Sequence, residues 1–137
     1  MHTVVLCFLL QSLTLQSEDY ELTIQVTGLK SSEGQVQIAI FNSAESFLEE
    51  PVQKSQIKLN GQKVVETTFT LPEGQYAVAV YHDENENGEL DKNFLGTPTE
   101  AYGFSNDTRE TRLSAPFFKE TSIALEKSPQ TLRIAVY

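Results

Sequence analysis

Apolar and polar residues alternate with a period of two in several stretches of the chain. Residues 22–27 read Leu-Thr-Ile-Gln-Val-Thr, and residues 35–40 read Gln-Val-Gln-Ile-Ala-Ile. Because successive side chains of a strand point to opposite faces, each stretch predicts a strand with one buried and one solvated face. A Ser-Glu-Gly turn lies between them at residues 32–34. The pattern therefore predicts an opening hairpin.

Further strands are predicted along the rest of the chain. Apolar residues at 57–59 and 65–71 flank Asn60-Gly61, a pair that favours a tight hairpin turn. Residues 76–81 (Tyr-Ala-Val-Ala-Val-Tyr) are apolar on both faces, which is typical of a strand in the middle of a sheet. Two more strands are predicted around residues 123–125 and 132–136.

Two segments lack this alternation. Residues 44–50 stop at Pro51 and predict a loop with one helical turn. Residues 92–118 predict one long loop, which is typical of a functional segment or of one anchored by its own side chains. Its large apolar side chains either plug the open end of the fold or form a pocket or partner surface. They are Phe94, Leu95, Tyr102, Phe104, Phe117 and Phe118.

Seven short strands with frequent turns and no long helical period predict an all-β fold. We expect a single antiparallel β-sandwich of about seven strands, immunoglobulin-like or transthyretin-like in outline, with one long loop. At 137 residues the chain has the size of one ordinary domain, which we place at residues 18–137.

Residues 1–17 predict a secretory signal peptide. The apolar run Val4–Leu10 is too short to span a bilayer and gives way to polar residues. Cleavage near Ser17 is favoured over a retained, buried first strand, so the mature domain is expected to be exported, periplasmic or extracellular. No later stretch of the sequence is long and apolar enough to cross a membrane. Cys7 is the only cysteine of the sequence, so an internal disulfide is excluded. It lies in this predicted leader.

Acidic residues outnumber basic ones by 19 to 10, which gives a formal net charge of -9. Such a protein repels phosphate backbones, so nucleic acid is not an expected partner. The acidity either serves solubility or reflects cation binding, and the local sequence has to decide between the two.

The predicted central strand runs into an acidic, asparagine-rich segment at residues 83–91. Asp83, Asn85 and Asn87, followed by Gly88, match the first half of the calcium loop D-x-[DN]-x-[DN]-G. In a tightly curled segment alternate residues face inward, so their oxygens converge on one hard cation. We therefore predict a calcium site. Its expected ligands are Asp83, Asn85, Asn87, Glu89 through its backbone carbonyl, Asp91 and Glu100.

The motif departs from an EF-hand at its twelfth position, where Phe94 replaces the bidentate glutamate, and no flanking helices are predicted. Glu100 is the nearest residue that could supply the missing oxygen. The alternative is a metal-free loop held by Asx-turn hydrogen bonds. Magnesium suits a cage of many chain oxygens less well than calcium does.

The sequence argues against a catalytic activity. It has no G-x-S-x-G motif, and His82 is the only histidine after the leader. Zinc hydrolysis would need about three protein ligands, and few nitrogen or sulfur donors are present. His82 is expected to pack or to form a hydrogen bond at the end of its strand.

The central part of the sequence resembles an uncharacterised bacterial family, domain of unknown function 2141. The residues that carry the likeness are 71–77, His82–Asn85, Gly88, Leu90, Asp91, Leu95-Gly96, Pro98, Glu100 and Tyr102–Asn106. The resemblance covers about Leu22 to Tyr137 and implies an exported bacterial β-sandwich without a known activity. Members often have a glycine before the Pro-aromatic step, where this chain has Leu113–Phe117.

These observations predict an exported, calcium-stabilised β-sandwich that serves as a binding or accessory module. The alternatives are a metal-free structural or adhesive domain that binds a protein, and a carrier of a small apolar ligand. The partner is accordingly expected to be either an unidentified protein or a small apolar molecule.

Overall fold

Eight strands and one short helix make up the fold in a computed structural model that describes residues 13, 17–108 and 115–137. The strands are β1 (Asp19–Thr27), β2 (Gln35–Phe41), β3 (Gln53–Lys58), β4 (Val65–Pro72), β5 (Gly74–Asp83), β6 (Tyr102–Phe104), β7 (Ile123–Leu125) and β8 (Gln130–Ala135). The helix α1 is Phe118–Thr121, and a 3₁₀ turn spans Ser105–Asp107. No helix within the described ranges is long and apolar enough to cross a membrane. The predicted signal peptide lies outside the described residues except for Leu13 and Ser17.

The strands form two sheets packed against each other. The first sheet has the order β4-β1-β8, and the second has the order β3-β2-β5-β6, with β7 also paired to β5. The predicted all-β sandwich is thus confirmed, with eight strands. One pair, β1 with β8, is parallel, and the remaining pairs are antiparallel as expected.

The core lies between the sheets and is built from alternate residues of the central strands. Each of these large side chains contributes about 1.5–3 kcal/mol when it is fully buried. The core residues of the three central strands are Leu22, Ile24 and Val26 of β1, Val36, Ile38 and Ile40 of β2, and Tyr76, Val78 and Val80 of β5. The period-two pattern therefore predicted correctly which face of β1 and of β2 is buried, whereas the sequence of β5, apolar on both faces, did not distinguish its two faces.

The predicted opening hairpin is wrong, because β1 and β2 belong to different sheets. β1 pairs with β4 and β8, whereas β2 pairs with β3 and β5. Residues 28–34 carry the chain from one sheet to the other. Alternation specifies the buried face of a strand but not its neighbour, and two half-buried strands can equally well cover each other across the core.

The predicted hairpin at Asn60-Gly61 is also wrong in its pairing, although the turn itself is present. Both residues have left-handed φ angles, 47° and 86°, as a tight turn of this type requires. The strands on either side join different sheets, since β3 pairs with β2 and β4 pairs with β1. The turn therefore serves as a second crossing between the layers.

The segment 92–118, predicted to lack strands, contains β6. This strand pairs with β5, placing Tyr102 opposite Tyr81 and Phe104 opposite Ala79. Gly103 faces the first sheet, where an added Cβ would overlap the carbonyl oxygen of Ala135. A three-residue strand with glycine at its centre has too little alternation to be recognised, which explains the error.

Candidate metal site and the adjoining groove

The acidic loop, defined here as residues 83–91, begins on the face of the second sheet that points away from the core. On β5, Val78, Val80 and His82 face the core, so Tyr81 and Asp83 lie on the opposite face, which we call the outer face. Asp83 is nonetheless completely buried. The loop itself covers it.

Asp83 is the centre around which the loop curls. Its Oδ2 accepts hydrogen bonds from Gln35 Nε2 at 2.7 Å, from Gly88 N at 2.9 Å and from Gln37 Nε2 at 3.4 Å. Its Oδ1 accepts one from Asn87 N at 3.1 Å. The two glutamine donors come from β2, so the carboxylate joins the neighbouring strand to the turn of the loop.

These donors set the charge state of Asp83. Burial alone raises the pKa of a carboxyl group, because it disfavours the charged form. The hydrogen bonds from Gln35, Gly88, Gln37 and Asn87 outweigh burial and lower the pKa of Asp83 below its ordinary value. The carboxylate is therefore ionised at neutral pH and serves as a charged acceptor.

Asp91 gathers the two asparagines of the motif. Its Oδ2 lies 2.6 Å from Asn85 Nδ2, and its Oδ1 lies 2.6 Å from Asn87 Nδ2. The Oδ1 of Asn87 in turn accepts the backbone N–H of Glu89 at 3.0 Å. The predicted ligand side chains of Asn85, Asn87 and Asp91 thus meet at one point on the outside of the turn that closes around Asp83.

Glu100 and Glu89 have different roles in the loop. Glu100 is 7% exposed, and its two oxygens each accept a backbone N–H at 3.1 Å, one from Glu84 and one from Asp91. It therefore braces both ends of the loop. Glu89 joins the network through its backbone N–H, while its side chain is exposed.

Carboxylates alone do not form a metal cage here. Within the described parts of the chain, no three His, Cys, Asp or Glu side chains lie close enough together to hold an ion. A cation would need the amide oxygens of Asn85 and Asn87 or backbone carbonyls beside Asp91, and calcium accepts such ligands readily. If the side-chain amides of Asn85 and Asn87 each rotated by 180°, Oδ1 would take the position in which Nδ2 now faces Asp91. Oxygen ligands of this kind are those that calcium takes, whereas the loop lacks the nitrogen and sulfur ligands that zinc takes.

His82 is buried at the end of β5, as the sequence predicted. It is 1% exposed, and its Nε2 lies 2.7 Å from the carbonyl oxygen of Glu33. The Nδ1 atom has no hydrogen-bond partner among the described residues and lies 3.8 Å from a carboxylate oxygen of Glu84. The ring is thus held within the core, turned away from the outer face.

The other end of the outer face is covered by an aromatic cluster, which we call the aromatic cap. Its centre is Phe47, from the turn after β2, whose ring centroid lies 5.4 Å from that of Phe41, 6.0 Å from that of Phe118 and 6.4 Å from that of Phe104. Phe41 is 3% exposed, and Ala77 opposite it is fully buried. The cap is therefore a second, smaller apolar cluster outside the main core.

A groove of about 660 Å³ lies on the outer face between the aromatic cap and the acidic loop. Ala39 and Ala79, paired across β2 and β5, lie at its floor. The loop forms one wall through Gly88, Glu89 and Leu90. A pocket was one of the two alternatives for segment 92–118, and Tyr102 and Phe104 of that segment line the groove. Its floor was not predicted, although two outward alanines between larger residues are a signal that could have indicated it.

The large apolar residues of segment 92–118 do not act as one plug. Tyr102, Phe104 and Phe118 pack at the groove and the cap, whereas Phe94 is 96% exposed and Leu95 is 74% exposed. Phe94 and Leu95 stand on a turn in which Asn93 Oδ1 accepts the backbone N–H groups of Leu95 and Thr97. Phe117 is exposed as well, so neither of the two predicted roles, a plug or a pocket, describes all six residues.

Comparison with known proteins gives a family and no function. No curated protein and no solved structure matches the chain significantly. Residues 24–133 match the model of the family described as "Uncharacterized protein conserved in bacteria (DUF2141)". The matched range includes the whole acidic loop and both walls of the groove. The chain therefore belongs to this uncharacterised bacterial family.

Proposed function

We propose that this protein is an exported binding module without catalytic activity, in which calcium bound by the acidic loop fixes one wall of a ligand groove. The observation that carries the proposal is the dual position of the loop. Asn85, Asn87 and Asp91 meet on its outside, and Gly88 to Leu90 line the groove. A cation that orders the loop would thereby also shape the groove.

The charge of the loop supports a bound cation. Six carboxyl groups and one ammonium group, that of Lys92, fall within residues 83–100. Such a density of like charge opposes the compact loop, and a divalent ion relieves the repulsion. The pKa of Tyr81 is raised to about 12, first by burial and then by the negative charges of Asp83, Glu100, Glu89 and Asp91.

The carboxylates of the loop already accept hydrogen bonds from the protein, which supports a binding role over catalysis. Both oxygens of Asp83 and both of Glu100 accept hydrogen bonds from the protein. A general base needs a free lone pair directed at its substrate. His82 is buried with its Nε2 against a backbone carbonyl, so it offers no accessible base on the outer face. Export is supported by the sequence of residues 1–17, which predicts a secretory signal peptide.

A metal-free structural role is the second candidate, and one observation favours it. The acceptors of the acidic loop already have donors from the chain itself, including two asparagine amides at 2.6 Å from Asp91. A network that is satisfied in this way can hold the loop without an ion. The two candidates differ in their response to calcium.

The discriminating experiment is thermal unfolding of the mature protein in calcium and in chelator. Ligand binding to the folded state stabilises it by about 2.7 kcal/mol at a hundred times Kd, which for a domain of this size raises Tm on the order of 5–10 °C. Asp91→Ala should abolish the difference in Tm, because it removes the charged ligand that both asparagines face.

Glu89→Gln is the matched control. It removes one carboxylate from the same loop, but the side chain is exposed and only its backbone belongs to the network. The control should retain the calcium response of the wild type. Equal responses in wild type and Asp91→Ala, or none in the wild type, would refute the calcium proposal and leave the metal-free module.

A further inference from the structure

We propose that the groove between the aromatic cap and the acidic loop binds an uncharged, largely apolar small molecule laid across Ala39 and Ala79. The proposal names the ligand of the binding module and in that respect rests on the proposed function. The floor and the opposite wall of the groove belong to the strands and to the aromatic cap, however, so probe binding can be measured with and without calcium.

The recess follows from the sizes of the residues on the outer face. In one row across the sheet, β3, β2, β5 and β6 present Lys54, Ala39, Ala79 and Phe104. The two central positions are alanines and are only partly buried, although they lie at the middle of the sheet. The cap rises on one side of this row and the loop on the other. Small residues between two raised borders leave a trench.

The polar groups beside the floor are already used by the protein. Tyr81 donates its hydroxyl hydrogen bond to the carbonyl of Gly88 at 2.8 Å. Gln37 Nε2 donates to Gln56 Oε1 at 3.1 Å and to Asp83 Oδ2 at 3.4 Å. A ligand with many hydrogen-bonding groups would lose its own hydration here without gaining partners, which costs free energy for each unpaired group. The floor therefore selects an apolar ligand.

The rim selects against a charged ligand. Four ionisable side chains line it, two of each sign: Lys54, Lys92, Glu49 and Glu89. All four are exposed, and none forms an ion pair with another described residue. A ligand with one charge would face both signs at the rim and gain little net attraction. An anion would also meet the overall charge of -9.

The size and walls of the groove suit a molecule with rings. Its volume of about 660 Å³ lies inside the range of about 300–1,000 Å³ that is common for small-molecule sites. Tyr102 and Phe104 stand side by side on one wall, with ring centroids 5.9 Å apart and planes inclined at 74°. Such ring edges and faces pack favourably against an aromatic or flat apolar ligand.

Two fluorescent probes that share a ring system test the proposal. N-phenyl-1-naphthylamine is neutral, and 1-anilinonaphthalene-8-sulfonate adds one negative charge to the same skeleton. We expect saturable binding of one neutral probe per chain and at least tenfold weaker binding of the sulfonate. Absence of saturable binding, or tighter binding of the sulfonate, would overturn the proposal.

Substitutions in the floor locate the site. Ala79→Leu and, separately, Ala39→Leu fill the trench and should each weaken neutral-probe binding at least tenfold. Ala124→Leu is the matched control, because Ala124 is an exposed strand residue that does not line the groove. The control should bind the probe like the wild type. Unchanged binding in both floor variants would show that the probe lies elsewhere and would refute the proposal.

Further measurements separate this proposal from the calcium site and from other occupants. Thermal melts establish that the floor variants fold, and their calcium response should equal that of the wild type. If calcium stabilises the wild type but not Asp91→Ala, and the neutral probe nevertheless fails to bind the wild type in calcium, the groove proposal alone is refuted. If the wild type sediments as a dimer and Ala79→Leu as a monomer, the groove is an interface between two copies, which also overturns the proposal.

Discussion

The two ends of one sheet face are covered by opposite kinds of chemistry. At one end the aromatic cap packs Phe47 against three other phenylalanine rings. At the other end the acidic loop closes over Asp83 through hydrogen bonds from Gln35, Gln37 and the turn of the loop. The groove lies between them and shares a wall with each.

This difference determines which conditions can act on each end. Apolar packing is non-directional and insensitive to pH and to cations. A network whose acceptors are carboxylates depends on their charge and on every donor being in place. We therefore expect acid, calcium and polar substitutions to act on the acidic loop, and cavity-forming substitutions to act on the cap.

The largest expected effect comes from the cap. Phe41→Ala removes a ring that is 3% exposed and in edge contact with Phe47. Loss of a buried phenylalanine ring costs about 3–5 kcal/mol in the free energy of unfolding. Urea unfolding measures this loss, and the increase of Tm with calcium should persist in the variant. A loss below about 1 kcal/mol would show that the cap is not a cohesive cluster.

A somewhat smaller loss is expected when the acceptor of the loop is removed. Asp83→Ala leaves the buried amide of Gln35 and the backbone N–H of Gly88 without their acceptor, and the backbone N–H of Asn87 with only the longer contact to Asn85 Oδ1. We expect a decrease of about 2–4 kcal/mol in the free energy of unfolding. Glu86→Ala, an exposed acidic position in the same loop, should change it by less than about 0.5 kcal/mol. Equal losses in the two variants would contradict the central role of Asp83.

The acidic loop and the aromatic cap should also differ in how their contribution to stability depends on pH. The pKa of Asp83 is lowered in the folded protein, while the unfolded chain has an aspartate pKa of about 3.9. Its stabilisation is therefore fully present above the unfolded value and is lost as the pH falls through the lower folded value. Asp83→Asn should lose less stability than the wild type between about pH 5 and pH 3. Urea unfolding over that range checks the prediction.

A cap variant provides the comparison for this pH series. Phe41→Leu lowers stability at every pH without touching an ionisable group, so its pH profile should run parallel to that of the wild type. An Asp83→Asn profile that also runs parallel to the wild type would show that Asp83 does not govern the acid sensitivity of the loop.

The smallest effect is expected outside both ends. Phe94 is 96% exposed and stands on a turn whose backbone N–H groups are held by Asn93. Phe94→Ser should change the free energy of unfolding by less than about 0.5 kcal/mol. It should also leave probe binding in the groove unchanged, because Phe94 does not line it. A large loss of stability would show that Phe94 belongs to a packed cluster.

Local pattern was sufficient for the strands and for the acidic loop, because both are encoded by near neighbours in sequence. Alternation identified the buried faces of β1 and β2, and the Asp-x-Asn-x-Asn-Gly motif predicted a tightly curled segment, which in the structure closes around Asp83. The role of Glu100 as a brace for the backbone was not predictable, since its partners lie 9 and 16 residues away.

Strand partners and the groove depended on long-range packing, which the sequence pattern does not contain. The turn at Asn60-Gly61 has the expected φ angles, yet its strands join different sheets. The groove needs Phe47 to fold over Phe41 and the acidic loop to fold over Asp83, with Ala39 and Ala79 left between them. A side chain's size is visible in the sequence, but its neighbours across the sheet are not.

The most direct test of the account observes the asparagine side chains during a calcium titration by NMR. Binding requires the amides of Asn85 and Asn87 to turn their oxygens toward the ion, so their side-chain NH₂ resonances should shift and saturate together with the backbone amide of Asp91. In Asp91→Ala these resonances should not respond. Unchanged resonances in the wild type, or small unsaturated shifts spread over many exposed carboxylates, would contradict a calcium site in the loop.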